Sequence, residues 1–130
     1  MKPILLVEDN PHDQELALMA LTKGGLLNHT VMVSDGEEAL DYLFCRGLYA
    51  GRPPGNPAVV LLDLKMPKLD GIDVLKAVRA DPRTSHVPIV MLTGSKEDSD
   101  VARSYQNGVN AFIVKPMDFK DLVRAIGEAG

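Results

Sequence analysis

Polar residues capable of chemistry follow four apolar runs of this sequence, each at the point where the run ends. The runs comprise residues 4–7, 58–62, 88–92 and 111–114. The side chains that follow them are three acids, a hydroxyl and an amine, namely Glu8, Asp9, Asp63, Thr93 and Lys115. Such groups together are suited to holding a hard metal ion and a phosphoryl group. The sequence therefore predicts phosphoryl chemistry wherever these side chains meet.

Three of these side chains are carboxylates, which repel one another at close range unless a cation joins them. Two like charges about 4 Å apart cost on the order of 4 kcal/mol at an effective dielectric near ~20. Mg²⁺ prefers oxygen ligands, takes few protein carboxylates and keeps several waters. Glu8, Asp9 and Asp63 are therefore the candidate ligands of an Mg²⁺ ion.

Asp63 is the candidate nucleophile of this group. An aspartate can attack a phosphoryl group and form an aspartyl phosphate. The metal ion, the Lys115 ammonium and the Thr93 hydroxyl would then neutralise or hydrogen-bond the oxygens of the transferred group. Positioning and electrostatics carry most of such catalysis, so a small site is sufficient.

The elements that must position these side chains are buried strands. Continuous apolar runs, without polar alternation, are typical of strands covered on both faces. Val31 and Val33 mark one more strand, which is the second along the chain and brings the total to five. Segments with helical periodicity alternate with the strands. This order predicts an α/β fold with a doubly wound, five-stranded parallel sheet and right-handed crossovers. Ligands bind at the carboxyl ends of the strands in such sheets.

Capping residues predict where the helices begin. The predicted N-caps are Asn10, followed by Pro11; Ser34, with Glu37 completing a capping box; Asp70; Ser95, with Asp98; and Asp118. Asp13 adds favourable negative charge to the first turn of the first helix. In the last helix, Leu122, Val123 and Ile126 are predicted to face the core.

Residues 46–57 form a long irregular segment between predicted elements. Three prolines and three glycines in this segment exclude a helix or a central strand. We expect a surface loop, and the sequence leaves open whether it contacts a partner or is a tolerated insertion.

The bulk composition is that of one ordinary globular domain of 130 residues. A formal net charge of −4 gives no basic footprint for nucleic acid or an anionic membrane. No apolar run approaches the ~20 residues that span a bilayer, and no signal-peptide core precedes the first strand. The only cysteine, Cys45, cannot form an internal disulfide, which favours a cytoplasmic location.

Four motifs in this sequence resemble the receiver domain of response regulators, the CheY-like family. They are Glu8-Asp9-Asn10, Asp63-Leu64-Lys65-Met66-Pro67 with Asp70-Gly71, Thr93-Gly94 and Lys115-Pro116. The resemblance implies a flavodoxin-like (βα)5 fold with strand order 2-1-3-4-5. It also implies that residues 1–130 are a receiver domain without an output domain.

The resemblance assigns a role to each site residue. Asp63 would accept a phosphoryl group from a phosphohistidine on a sensor histidine kinase or a phosphotransfer protein. Asp9 would bind Mg²⁺ directly and Glu8 largely through water, while the backbone carbonyl of Lys65 would complete the protein ligands. The backbone N–H of Gly94 would help to hold the phosphoryl oxygens. Such a protein is not an enzyme, because it catalyses only its own phosphorylation and slow dephosphorylation.

The resemblance also implies a switch made of Thr93 and Phe112. The Thr93 hydroxyl would move onto the phosphoryl group, and the Phe112 ring would rotate into the space that Thr93 leaves. Many family members have a tyrosine in place of Phe112, so a phenol hydrogen bond is absent here. The Lys65 side chain and Ser95 lie two residues beyond Asp63 and Thr93, where they would tune the lifetime of the phosphoryl group.

Signal output would, by the same resemblance, pass through the face formed by the fourth helix, fifth strand and fifth helix. A downstream protein would bind this face, and a homodimer through it is left open. The loop over residues 46–57 resembles that of single-domain regulators paired with phytochrome-type kinases. A kinase of that type is therefore one candidate donor.

Two other functions use a strand-end aspartate or this type of sheet. A Mg²⁺-dependent phosphohydrolase of the haloacid-dehalogenase type places a second aspartate two residues after its nucleophile, as general acid–base. Lys65 occupies that position here. A flavin-binding flavodoxin-like protein would need a Ser/Thr/Gly-rich phosphate loop after the first strand, where Glu8 and Asp9 would repel phosphate. The receiver domain is the interpretation that the residues favour.

Overall fold

A five-stranded parallel sheet forms the centre of the protein, as the sequence predicts. The computed structural model describes residues 2–94 and 99–129. The strands β1 to β5 are Ile4–Val7, Thr30–Val33, Val59–Asp63, Ile89–Thr93 and Ala111–Val114. All neighbours are parallel, and the strand order is β2-β1-β3-β4-β5. The predicted strand order is therefore confirmed.

Helices cover both faces of the sheet and bury an apolar layer on each side. The helices α1 to α5 are Pro11–Lys23, Gly36–Leu43, Gly71–Ala80, Ser99–Gln106 and Phe119–Ala129. Alternate strand residues point to opposite layers: Leu5 and Val7 join α2 and α3, whereas Ile4 and Leu6 join α1 and α5. Both layers exclude water from the sheet, so the strand ends are held as one rigid edge.

Three of the predicted helix starts are confirmed by their capping hydrogen bonds. The Asn10, Asp70 and Asp118 side chains each accept a backbone N–H three residues later, from Asp13 at 3.0 Å, Asp73 at 3.0 Å and Asp121 at 2.8 Å. The predicted cap of the fourth helix, Ser95 with Asp98, lies outside the described residues.

The cap predicted for the second helix is wrong by one residue. Asp35, not Ser34, is the N-cap: its backbone is extended and its side chain accepts the Glu38 N–H at 2.7 Å. Glu38, not Glu37, reaches back and accepts the Ser34 N–H at 2.9 Å. Serine and aspartate are both favourable N-cap residues, so the sequence does not distinguish between Ser34 and Asp35. The direction in which the chain leaves β2 decides between them.

Val123 is the other prediction that the structure corrects. Its side chain was expected to face the core, but 56% of the residue is exposed. Leu122 and Ala125 are fully buried instead, with Ile126 beside them. These three residues share one helical face, whereas one step along a helix turns Val123 about 100° away from Leu122.

The loop over residues 46–57 is irregular, as predicted, but it is folded back onto α2. Arg52 lies over the Tyr42 ring at 4.2 Å from its centre and donates to the Tyr42 carbonyl at 2.9 Å. The Tyr49 hydroxyl donates to Glu38 at 2.7 Å. Leu48, within a single 3-10 turn, is 93% exposed. Whether this loop contacts a partner stays a prediction.

None of the helices within residues 2–94 and 99–129 has both the length and the apolar character needed to cross a membrane.

Candidate functional site

The three acids predicted to meet do so at the carboxyl edge of the sheet. Glu8 and Asp9 follow β1, and Asp63 is the last residue of the adjacent strand β3. Val7 pairs with Leu62 in these strands, which brings the chain segments that follow them to the same level. One carboxylate oxygen of each acid lies within 4.8 Å of the others.

The backbone carrying Asp63 is fixed by a close approach that only glycine permits. A Cβ atom on Gly71 would lie 2.5 Å from the carbonyl oxygen of Asp63 and 2.9 Å from the Cα of Leu64. The Gly71 N–H donates to the Leu64 carbonyl at 3.0 Å. This turn holds the start of α3 directly against the end of β3, so the position of Asp63 is defined from both sides.

Lys115 supplies the positive charge of the site. Its Nζ lies 2.8 Å from Glu8 Oε1, 2.8 Å from Asp63 Oδ1 and 3.0 Å from Asp13 Oδ2. Its backbone N–H donates to the Thr93 carbonyl at 2.7 Å, which ties the end of β5 to the end of β4. The ammonium thus joins an acid that follows β1, the last residue of β3 and an acid in the first turn of α1.

Asp13 is a residue of the site that the sequence did not single out. We expected it to contribute only negative charge to the first turn of α1, yet its side chain also bonds Lys115, 102 positions away. Helical periodicity gives the face of α1 on which Asp13 lies but not what lies opposite that face. No spacing within the sequence could have indicated this contact, because Lys115 follows β5 and lies 102 positions away.

Burial makes the Asp63 carboxyl a weak acid. The residue is 3% exposed. Burial and the neighbouring Glu8 raise its pKa to about 7, against the opposing effect of Lys115. Burial would lower the pKa of the Lys115 ammonium, but its hydrogen bonds to Asp63, Glu8 and Asp13 outweigh burial and raise that pKa. The site therefore holds excess negative charge that a cation would relieve.

The donor set fits a hard divalent cation. It consists of carboxylate oxygens alone, Glu8 is 1% exposed, and Asp9 is half-buried. Oxygen-only sites of this kind bind ions such as Mg²⁺, Mn²⁺ or Ca²⁺. The residues present are therefore compatible with divalent metal binding.

The raised pKa of Asp63 predicts that the metal-free protein loses stability with rising pH. Asp63 keeps its proton in the folded state up to about pH 7 but loses it near pH 3.8 when unfolded. The folded state thus binds more protons between these values, and its free energy of unfolding falls across that window, by roughly 4 kcal/mol. Urea unfolding from about pH 4 to about pH 8 in EDTA measures this fall.

Two comparisons test the origin of that pH dependence. The Asp63→Asn variant should lack the fall, because the amide does not titrate. Saturating Mg²⁺ should stabilise the wild-type protein more at about pH 8 than at about pH 5, since the ion competes with the proton. A fall of equal size in the variant would assign the effect to other groups.

The predicted switch residues lie on β4, which is next to the strand of Asp63, and on β5, one strand further along the sheet. Thr93 ends β4 and is 1% exposed, and the exposed Gly94 follows it. Phe112 on β5 is half-buried, and its ring meets Tyr105 of α4 edge to face at 6.0 Å between ring centres and 88° between planes. An aromatic contact thus links β5 to α4.

The face made of α4, β5 and α5 exposes the side chains of Tyr105 and Val114. Tyr105 is 47% exposed and Val114 36%. The described part of α4 buries only Val101 and Ser104. That a downstream protein binds this face stays a prediction from the sequence.

Lys65 points along the surface toward α4. Its ammonium pairs with the Asp100 carboxylate in the first turn of that helix, and Arg103 donates to the same carboxylate at 2.9 Å. These hydrogen bonds lower the pKa of Asp100. No pattern in the sequence indicates the Lys65–Asp100 pair, since 35 positions separate its members. Ser95, the other residue predicted to tune phosphoryl lifetime, lies outside the described residues.

A doubly wound parallel sheet with an acidic cluster and a lysine at its carboxyl edge defines a flavodoxin-like domain with a site suited to phosphoryl chemistry. The chain belongs to the response regulator receiver domain family, whose model matches residues 4–127. It is thus a receiver domain of two-component signalling, and the family match does not favour the phosphohydrolase alternative.

The relatives include response regulators associated with phytochromes. The structure of the bacteriophytochrome response regulator AtBRR is 55% identical, with a TM-score of 0.92 over 100% of this chain and 93% of that one. The phosphorylated cyanobacterial phytochrome response regulator RcpA is 38% identical, with a TM-score of 0.79 over 96% and 88%. Response regulator Rcp1 of Synechocystis sp. is 35% identical over 96% of this chain and 84% of its own length.

The same comparison bears on the metal. The Mn²⁺-bound form of Rcp1 superimposes with a TM-score of 0.77, covering 97% of this chain and 89% of that one. A divalent ion is therefore bound by a relative with this fold, and the carboxylate group of this chain is compatible with one.

Proposed function

We propose that Asp63 accepts a phosphoryl group from a phosphohistidine of a sensor kinase, with Mg²⁺ bound to the neighbouring acids. The observation that carries this proposal is the meeting of Glu8, Asp9 and Asp63 within 4.8 Å, with Lys115 2.8 Å from Asp63. An aspartate can act as a nucleophile toward phosphorus when a lysine and a metal ion beside it stabilise the charge on the transferred group.

The transfer exchanges one bond to phosphorus for another. A carboxylate oxygen of Asp63 attacks the phosphorus atom, and the bond between phosphorus and the imidazole nitrogen of the donor breaks. The departing nitrogen keeps the bonding electrons and takes up a proton from solvent. Lys115 holds the ionised form of Asp63 and then a phosphoryl oxygen, while Thr93 and the Gly94 N–H bond the remaining oxygens.

Mg²⁺ is the ion that we propose for the site. Asp9 and Asp63 would bind it directly, Glu8 largely through water, and the Lys65 carbonyl would complete the protein ligands. When bound, the ion neutralises negative charge on the transferred group. The support from this structure is the all-oxygen donor set at a buried strand edge.

We further propose that phosphorylation moves Thr93 and Phe112 and thereby changes the face of α4, β5 and α5. Thr93 and Phe112 lie on adjacent strands, and the Phe112 ring already contacts Tyr105 on α4. A ring that moved inward would break this contact and alter the exposed apolar surface. A downstream protein, or a second copy of the chain, would read that change.

Lys65 and Ser95 are proposed to set how long the phosphoryl group persists. Lys65 follows Asp63 by two residues, and its ammonium is paired with Asp100 in the structure described here. If Lys65 turned toward the phosphoryl group, it would screen the line along which water attacks. A cytoplasmic location stays a prediction from the sequence.

A phosphotransfer assay tests the proposed donor. A bacteriophytochrome-type histidine kinase is autophosphorylated with labelled ATP, freed of nucleotide and mixed with this protein. We expect the label to move to this chain within minutes in Mg²⁺ and to stay on the kinase in EDTA. Transfer only from kinases of other classes would contradict the phytochrome pairing, and transfer of equal rate in EDTA would contradict the metal site.

A further inference from the structure

Asp13 differs from the other two carboxylates that bind Lys115. Glu8 and Asp63 belong to the group of acids suited to a metal ion, which among the described residues also includes Asp9. Asp13 is not in that group, although its Oδ2 lies 3.0 Å from the Lys115 Nζ. A cation bound by that group would share Glu8 and Asp63 with Lys115, whereas Asp13 would remain a partner of Lys115 alone.

The number of donors on Lys115 makes this difference important. An ammonium has three N–H donors, and the structure directs them to Glu8, Asp63 and Asp13. With a metal ion on the acids, the attraction of Glu8 and Asp63 for Lys115 weakens. Asp13 then becomes the contact that prevents the long, flexible side chain from leaving the site.

The first turn of α1 holds the Asp13 carboxylate firmly in place. The Asp13 N–H donates to the Asn10 side chain at 3.0 Å. The next residue, Gln14, donates from its backbone to the Asn10 carbonyl at 2.9 Å and from its side chain to the Glu8 carbonyl at 2.7 Å. These bonds join the start of α1 to the end of β1, so Asp13 is presented from a rigid element.

A general role at a helix N-terminus does not explain this geometry. Any acid in the first turn interacts favourably with the helix dipole while remaining in solvent. Asp13 instead is only partly exposed, with 30% of its side chain accessible. Its carboxylate contacts the ammonium of Lys115, which follows β5. Glu15 lies on the same helix and is exposed, which makes it a matched control.

We infer that Asp13 is a positioning residue that holds the Lys115 ammonium beside Asp63 while a metal ion occupies the acids. This inference rests on the proposed phosphoryl transfer to Asp63 and names a further residue for the same reaction. Asp13 itself touches neither the phosphoryl group nor the metal ion. Its contribution passes through Lys115, which would otherwise have to be oriented anew in each transfer.

The rate of phosphorylation by phosphoramidate, followed by intact mass in saturating Mg²⁺, tests this inference. We expect Asp13→Asn to lower the maximal rate about ten-fold, with less than about a two-fold change in the half-saturating donor concentration. Asp13→Glu should recover the rate to within about three-fold of wild type, and Glu15→Gln should match wild type. An Asp13→Asn rate equal to that of wild type would overturn the inference.

A double-mutant cycle with Lys115 separates positioning from a general effect on the fold. In a Lys115→Ala background, Asp13→Asn should change the rate by less than about two-fold, because its target is absent. A loss as large as in the wild-type background would show that Asp13 acts by another route and would contradict the inference.

A measurement without phosphoryl transfer keeps the inference separate from the proposed function. Side-chain NMR relaxation of Lys115 in the Mg²⁺-loaded protein should show an ordered ammonium in wild type and in Glu15→Gln, and a mobile one in Asp13→Asn. Equal order in all three proteins would refute the positioning role. Failure of wild type to take up any phosphoryl group would refute the proposed function, while the relaxation data would still decide the role of Asp13.

Discussion

The Asp63→Asn variant should take up phosphoryl groups from phosphoramidate at least about 10³-fold more slowly than wild type in saturating Mg²⁺. The amide oxygen of asparagine is a poor nucleophile. Among the described acids, only Glu8 shares with Asp63 burial at the sheet edge, a lysine at 2.8 Å and membership of the metal group. Intact mass spectrometry over time measures the rate directly.

Asp118→Asn is the matched control for that variant. Asp118 caps α5, and asparagine caps helices as well as aspartate does, so fold and rate should both be preserved. At about pH 8 without metal, Asp63→Asn should also be more stable than wild type, because burial disfavours the ionised carboxylate that it removes. Phosphoryl uptake by Asp63→Asn at the wild-type rate would place the acceptor elsewhere.

Lys115→Ala should have the second large effect, on both rate and stability. Loss of the ammonium removes a contact to the developing charge on the phosphoryl group, so the rate should fall about 10²- to 10³-fold. It also leaves Glu8 and Asp63, which are 1% and 3% exposed, without their cation. At about pH 8 in EDTA we expect the free energy of unfolding to fall by about 3 kcal/mol, measured in urea.

Adding Mg²⁺ separates the effect of Lys115→Ala on stability from its effect on the rate. Saturating Mg²⁺ should restore most of the stability, because the ion compensates the same acids, but should not restore the rate. The affinity for Mg²⁺ should change far less than the rate, since Lys115 is not a metal ligand. Equal losses of rate and of metal affinity would contradict the role assigned to Lys115.

The parallel sheet and the edge at which the site lies could be predicted because both depend on local signals, whereas the strand order was implied only by the resemblance to receiver domains. Four apolar runs end on polar residues, and parallel strands must place those ends together. The motifs around Glu8, Asp63, Thr93 and Lys115 then indicate the family in which this fold and these site residues occur together. Each step uses residues adjacent in sequence, and the structure agrees with the resulting architecture.

Contacts between distant parts of the chain could not be predicted in the same way. Asp13 meets Lys115 across 102 positions, and Lys65 meets Asp100 across 35. A surface acid at helical spacing looks the same in sequence whether it faces water or a lysine. The exposed Val123 shows the converse, because an apolar residue beside Leu122 looks buried until the orientation of α5 is known.

Trapping the phosphorylated residue tests the central claim, that Asp63 is the phosphoacceptor, most directly. Wild-type protein is incubated with phosphoramidate and Mg²⁺, and the acyl phosphate is then reduced with borohydride, which converts a phosphorylated aspartate to homoserine. Peptide mass spectrometry should locate homoserine at position 63 alone, and only in samples that contained Mg²⁺. Homoserine at another aspartate, or phosphate retained on His12, His29 or His86 instead, would contradict it.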